Sequence, residues 1–135
     1  MVADVASIDP TAIPEVFRRL GLTPRRRVTF DRYGTPETPC GCIATALYLD
    51  DAGLAVEPAL EQHLEHRNVG DAAFRAADGR YGREFVGGLI AGWDGARSGL
   101  SPEKLKQKTD WKRGYLVGRA AWGECVKAGL TKEDS

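Results

Sequence analysis

The 135-residue chain lacks a long apolar run, a net charge and enough cysteines for a disulfide framework. No stretch approaches the roughly 18 consecutive apolar residues of a membrane-spanning helix, so such a span is excluded. Nineteen cationic side chains balance nineteen carboxylates, and 42% of the residues are hydrophobic, which excludes an intrinsically disordered chain. The sixteen glycines have no three-residue period, which excludes collagen. The length predicts a single globular domain over residues 1–135.

The first ten residues predict that the protein stays in the cytoplasm. They contain Asp4 and Asp9 and no cationic region followed by an apolar core, so they do not resemble a secretory signal. The three cysteines, an odd number in a chain of this length, agree with a reducing compartment. A cytoplasmic location is therefore expected.

The pattern of caps and glycines predicts mostly helices. Asp9 and Pro10 form an N-cap and first-turn pair, and Gly21 ends the helix that follows. Similar signals place helices at residues 38–52, 57–68, 81–93 and 110–128, with short helical turns at 71–77 and 101–103. Residues 27–33 alternate in polarity and predict a short extended or hairpin segment. We therefore expect a mostly α, compact single-domain bundle of about five helices with that one extended segment.

Two of these helices contain a related pattern of aromatic residues and glycine. Residues 81–88 and 111–118 both follow the order aromatic-x-Arg-x-aromatic-aliphatic-x-Gly. The spacing i, i+4, i+7, i+11 places each set on one helical face. These positions are Tyr81, Phe85, Gly88 and Gly92 in the first helix, and Trp111, Tyr115, Gly118 and Trp122 in the second.

A glycine inside a helix costs about 1 kcal/mol relative to alanine, so these glycines need a compensating contact. We expect the two helices to pack together, with aromatic rings of one helix over glycines of the other. The alternative is a flat aromatic slot for a ring-shaped ligand, with Arg83 and Arg113 as its polar groups.

The segment around Cys40 and Cys42 is a candidate thiol site. With a helix starting at Thr38 and Pro39, Cys40 would lie in the first turn, where the helix dipole favours the thiolate. Over about eight residues the segment resembles the nucleophile region of papain-like cysteine peptidases, where a Cys-Gly pair opens a helix. The resemblance implies that Cys40 is the nucleophile. Such enzymes also need a histidine well downstream, and no histidine follows His66.

Metal binding is a further possibility for the same cysteines. Cys40 and Cys42, followed by His63 and His66, supply four zinc ligands in a C-x-C and H-x2-H arrangement. The common knuckle has two to four residues between its cysteines, so the spacing departs from that template. We predict no resident metal or cofactor and keep these four residues as weak candidates.

The charges are segregated along the chain. Residues 15–33 have six arginines against two carboxylates, a net charge of +4, and residues 101–120 also reach +4. Between them, residues 50–71 have six carboxylates against one arginine, a net charge of −5. The cationic candidates for nucleic-acid binding are the run Arg25, Arg26 and Arg27 and the segment 104–113, from Lys104 to Arg113, with Trp111.

The sequence predicts a binding protein rather than an enzyme. No segment assembles a nucleophile, a base and an oxyanion donor. We expect a protein partner or a homo-oligomer, held through the charge-segregated helical faces, and no membrane association. The alternatives are nucleic-acid binding through the cationic segments, and thiol or zinc chemistry at Cys40 and Cys42. A net charge of zero and a pI near 6.7 weigh against a dedicated nucleic-acid binder.

Overall fold

A computed structural model of the chain describes residues 8–31, 39–95 and 109–132. Within these ranges the fold is mostly helical, as predicted, with a small three-stranded sheet. The predicted short helix at 101–103 lies outside the described residues. Six α-helices occur in the described ranges, one more than expected: α1 Ile13–Leu20, α2 Ile43–Ala52, α3 Val56–His66, α4 Asn68–Tyr81, α5 Arg83–Trp93 and α6 Thr109–Lys127.

The first helix begins and ends at the residues that the sequence predicts. The Asp9 carboxylate accepts a hydrogen bond from the Thr11 amide at 3.0 Å and caps a 3-10 turn, Pro10–Ala12, that leads into α1. Gly21 ends α1 in the left-handed conformation at φ 69°. The same left-handed glycine follows α6 at Gly129, φ 76°.

Among the described residues of the extended segment predicted at 27–33, only two are observed as a strand, and they belong to a three-stranded sheet. Its strands are β1 Thr23–Pro24, β2 Phe30–Asp31 and β3 Cys40–Gly41, in the order β1-β3-β2. β3 pairs parallel with β1 and antiparallel with β2. The predicted helix start at Thr38 is wrong, because Cys40 lies in β3 and Cys42 is the N-cap of α2. Strands of two residues have no alternation in sequence, so β3 could not be recognised as the missing partner.

The helical turn predicted at 71–77 is a full helix, and the next helix starts later than expected. α4 extends over fourteen residues and ends at Tyr81, which was predicted to open the following helix. Gly82, at φ 91°, separates α4 from α5. A backbone conformation that only glycine adopts readily therefore sets this boundary.

Trp93, at the end of α5, is the centre of the core. Its side chain has no solvent exposure, stacks on Phe17 at a centroid distance of 5.5 Å and meets the edge of Trp122 at 5.0 Å. The indole Nε1 donates a hydrogen bond to the Arg25 carbonyl at 2.8 Å. One side chain thus joins α1, α5, α6 and the loop after β1.

Helices α5 and α6 run parallel and touch backbone to backbone. A Cβ atom added to Gly88 or Gly92 would overlap the carbonyl of Trp111 or Tyr115 on α6. A Cβ on Gly114 or Gly118 would overlap carbonyls on α5 in the same way. The predicted packing of the two helices is confirmed. The predicted ring-over-glycine contact is wrong at these four glycines, because each lies against backbone and not against an aromatic ring.

Candidate functional site

The face shared by α5 and α6 is filled by protein. At Gly88, Gly92, Gly114 and Gly118 the partner helix occupies the position of the missing side chain. The alternative interpretation of this face as a ligand slot is therefore wrong. Glycine here allows a close approach of two helices, and the opposite side of α6 faces away from α5.

The outer surface of α6 has an exposed leucine between two cationic side chains. Leu116 is 54% exposed, one of two exposed large hydrophobic residues among those described. Lys112 and Arg119 lie at i−4 and i+3 from it, so the three share one helical face. The rings of Trp111 and Tyr115 stack at 5.3 Å nearer the side of α6 that faces α5, and Trp111 covers Gly87. We call Lys112, Leu116 and Arg119 the α6 outer face.

Of the two arginines predicted for the aromatic slot, Arg113 lies at i−3 from Leu116 and borders this face, whereas Arg83 lies on α5. Arg113 pairs with Asp110 at 3.3 Å, and its guanidinium lies 5.7 Å from the Phe85 ring. Arg83 is exposed in the first turn of α5. The two arginines therefore do not form the polar ends of one slot.

The arginine run Arg25, Arg26 and Arg27 is anchored to the core. The Arg26 side chain donates to the Trp93 carbonyl at 2.8 Å and lies over the Trp122 ring at 4.4 Å. The Arg25 carbonyl accepts from the Trp93 indole, and the Arg27 amide donates to Asp94 at 2.9 Å. Arg26 therefore holds the loop against the end of α5, which reduces the cationic surface that this run offers to nucleic acid.

The cysteines lie in the core as free thiols. Cys40 and Cys42 are 2% and 4% exposed. Burial raises the pKa of the Cys42 thiol, whose Sγ lies 3.6 Å from the Thr45 hydroxyl. Burial also raises the pKa of Cys125, to about 12. These surroundings favour the neutral thiol, whereas a nucleophilic cysteine needs the thiolate.

The four weak zinc candidates do not converge. Among the described residues, no group of three or more His, Cys, Asp or Glu side chains is arranged to hold a metal ion. His63 is buried against Phe30, with ring centroids 5.7 Å apart, whereas the side chain of His66 is 65% exposed beside Glu65. Cys40, Cys42, His63 and His66 therefore do not form one metal-binding group among the described residues.

His63 is a neutral imidazole held by the backbone. Its Nδ1 accepts a hydrogen bond from the Gly70 amide at 3.1 Å, an arrangement that assigns the ring proton to Nε2. Burial lowers the pKa of His63, and Arg67 lowers it further, against smaller opposite effects of Asp31 and Asp71. Protonating Nδ1 would break the bond to Gly70.

Because the pKa of His63 is lower in the folded chain than its usual 6.5, the unfolded chain binds more protons as the pH falls. We expect this contribution to stability to be complete above about pH 6.5 and to be lost progressively at lower pH. Chemical denaturation between about pH 7 and 5 should show a steeper loss for the wild type than for His63→Gln. The exposed His66→Gln is the control and should keep the wild-type slope, and equal slopes for all three proteins would contradict the assignment.

Part of the charge segregation is used inside the fold. Arg19, from the first cationic segment, donates to both carboxylate oxygens of Asp50 at 3.0 Å. Arg80 pairs with the neighbouring Asp51. Two carboxylates of the acidic segment are therefore paired with arginines of the same chain. The acidic segment is for that reason less available to an external partner than the α6 outer face.

The sequence placed Lys112 within the candidate cationic segment 104–113, but it did not single out Leu116 or Arg119. Each is ordinary on a helix surface, and the exposure of Leu116 becomes visible only when the inner face of α6 is fixed by its glycines. The i, i+4, i+7 spacing was the one available signal.

Comparisons with known proteins found no matching family model, no matching curated protein and no matching solved structure. None of the described helices is long and apolar enough to cross a membrane.

Proposed function

We propose that this protein is a non-catalytic binding module that recognises an acidic protein partner through the α6 outer face. The observation that carries the proposal is Leu116, 54% exposed between Lys112 and Arg119. An apolar contact surrounded by cationic groups suits a protein surface that presents apolar and acidic side chains together.

The composition of the face supports a protein contact. Tyrosine, tryptophan and arginine are enriched among residues that dominate binding energy, because they combine large contact area with polar ends. Arg119 supplies one of these types beside Leu116, and the half-buried rings of Trp111 and Tyr115 lie further round α6, towards α5. The parallel contact with α5 supports the face from behind, so little conformational freedom would be lost on binding.

An acidic partner other than a second copy of this chain agrees best with the charges. Asp50 and Asp51 of the acidic segment already pair with Arg19 and Arg80. A nucleic acid would also be attracted to Lys112 and Arg119, but the net charge of zero and the internal role of Arg26 reduce the cationic surface available to it. We infer a cytoplasmic location, which the three free cysteines support.

Leu116→Glu tests the proposal without disturbing the helix. Glutamate is a good helix former, and at this position it faces Lys112 and Arg119. We expect an immobilised glutamate–tyrosine copolymer to retain the wild type and to bind Leu116→Glu at least about tenfold more weakly, a loss of about 1.4 kcal/mol. Binding should weaken as salt increases, because the cationic groups are exposed.

Leu54→Glu is the matched control, because Leu54 is the other exposed large hydrophobic residue described, at 40%, in the turn after α2. It should bind the copolymer as the wild type does. Equal loss in both variants, or no binding by the wild type, would contradict the proposed face. Tighter binding to single-stranded DNA of about 16 nucleotides than to the copolymer would favour the nucleic-acid alternative.

A further inference from the structure

A second feature of the fold is an open groove between β2 and the junction of α3 and α4, remote in sequence from the α6 outer face. Its volume is about 410 Å³, within the range of small-molecule sites. Phe30 and Phe74 contribute apolar walls. The polar side chains of the groove are Arg27, Asp31, His63, Arg67 and Asp71.

Three of the four charged side chains of the groove are unpaired among the described residues, whereas Asp31 takes part in an interaction. Within the described part of the chain, the side chains of Arg27, Arg67 and Asp71 make no hydrogen bond and no ion pair. Elsewhere in the fold, charged side chains such as Arg19 and Asp50 form ion pairs. Two cationic groups and a carboxylate thus line one groove without neutralising each other by direct contact.

His63 supplies a polar group that is both buried and incompletely bonded. The residue is 6% exposed, and its Nδ1 is occupied by the Gly70 amide. Its Nε2, which bears the proton in this tautomer, makes no hydrogen bond within the described residues. A buried donor without a partner costs free energy unless a ligand or water satisfies it.

The backbone at the groove is strained at both arginines. Arg27, at φ 62°, and Arg67, at φ 58°, are the two non-glycine residues with positive φ among those described. Arg67 occupies the C-cap of α3, a position where glycine is usual. Two arginines in conformations that favour glycine, both lining one groove, indicate that their side chains have a use there.

We propose that this groove binds a small zwitterion with an apolar side chain, of amino-acid or dipeptide size. Arg27 and Arg67 would hold its carboxylate, and the His63 Nε2 would donate a further hydrogen bond. Asp71 would face its ammonium group, and Phe30 and Phe74 its apolar side chain. A simple anion would gain from the arginines but would be repelled by the Asp71 carboxylate.

The test uses L-phenylalanine and glycyl-phenylalanine as probes, followed through the Gly70 amide resonance, which reports on the bond to His63. We expect saturable shifts with both probes and none with N-acetyl-phenylalanine amide, which lacks both charges. Arg67→Gly should reduce binding about tenfold or more while keeping or raising the melting temperature, because glycine adopts positive φ without strain. Arg75→Ala, an exposed arginine of α4 outside this groove, should bind as the wild type does.

The outcomes separate this site from the α6 outer face, because Leu116→Glu should bind the probes normally. No saturable shift with either probe in the wild type would overturn the proposal. Unchanged binding of the probes by Arg67→Gly would also overturn it. Binding of inorganic phosphate, with no binding of either probe, would do the same.

Discussion

Gly118→Ala is expected to destabilise the protein by about 3 kcal/mol, at the upper end of the usual cost of overpacking. The added Cβ would overlap the Leu89 carbonyl and lie 2.8 Å from the Trp93 amide, so two rigid backbones would have to separate. Helix propensity acts in the opposite direction, since alanine is favoured over glycine by about 1 kcal/mol. Thermal unfolding should show a melting temperature lower by about 10 °C for a chain of this size.

Gly123→Ala on the same helix is the matched control. No atom lies within 4 Å of the position its Cβ would take, so helix propensity alone should act. We expect this variant to gain up to about 1 kcal/mol. If the free energy of unfolding falls in Gly118→Ala and rises in Gly123→Ala, the close helix contact lies at Gly118. If both variants are stabilised, the close contact at Gly118 is refuted.

Trp93→Ala is expected to lose about 4–5 kcal/mol, close to the largest effects seen for aromatic core residues. It removes the stack on Phe17, the edge contact with Trp122 and the hydrogen bond to the Arg25 carbonyl. Because whole domains of this kind are stable by about 5–15 kcal/mol, this loss would remove from roughly a third to nearly all of the free energy of unfolding. Circular dichroism and chemical denaturation would measure the loss.

Trp93→Phe separates packing from hydrogen bonding at this position. Phenylalanine keeps an aromatic ring in the core but removes the indole donor to Arg25, so we expect an intermediate loss of about 1–3 kcal/mol. A variant as stable as the wild type would show that the bond that fixes the arginine loop contributes nothing.

Local signals in the sequence predicted the parts of the fold that depend on local chemistry. The cap at Asp9 and the terminating glycines Gly21 and Gly129 follow from backbone geometry, and the structure confirms them. The close pairing of α5 and α6 could be predicted because glycine inside a helix is unfavourable without a reason.

Long-range partners account for most of what the sequence could not predict. The role of Arg26 depends on Trp93 and Trp122, which lie far along the chain, so a run of arginines resembled a free cationic patch. The strand at Cys40 is two residues long and exists only because β1 and β2 flank it. The groove unites Arg27 with Arg67, and no pattern in the sequence connects them.

Opposite sides of α6 have different surroundings. Its glycines fix the contact with α5, whereas Leu116 is exposed on the other side, where we propose that a partner binds. The most direct measurement is thermal unfolding of Leu116→Glu beside Gly118→Ala. We predict that Leu116→Glu melts within about 2 °C of the wild type, as expected for an exposed position, while Gly118→Ala melts about 10 °C lower. A loss in Leu116→Glu as large as that in Gly118→Ala would contradict the account, because Leu116 would then belong to the core.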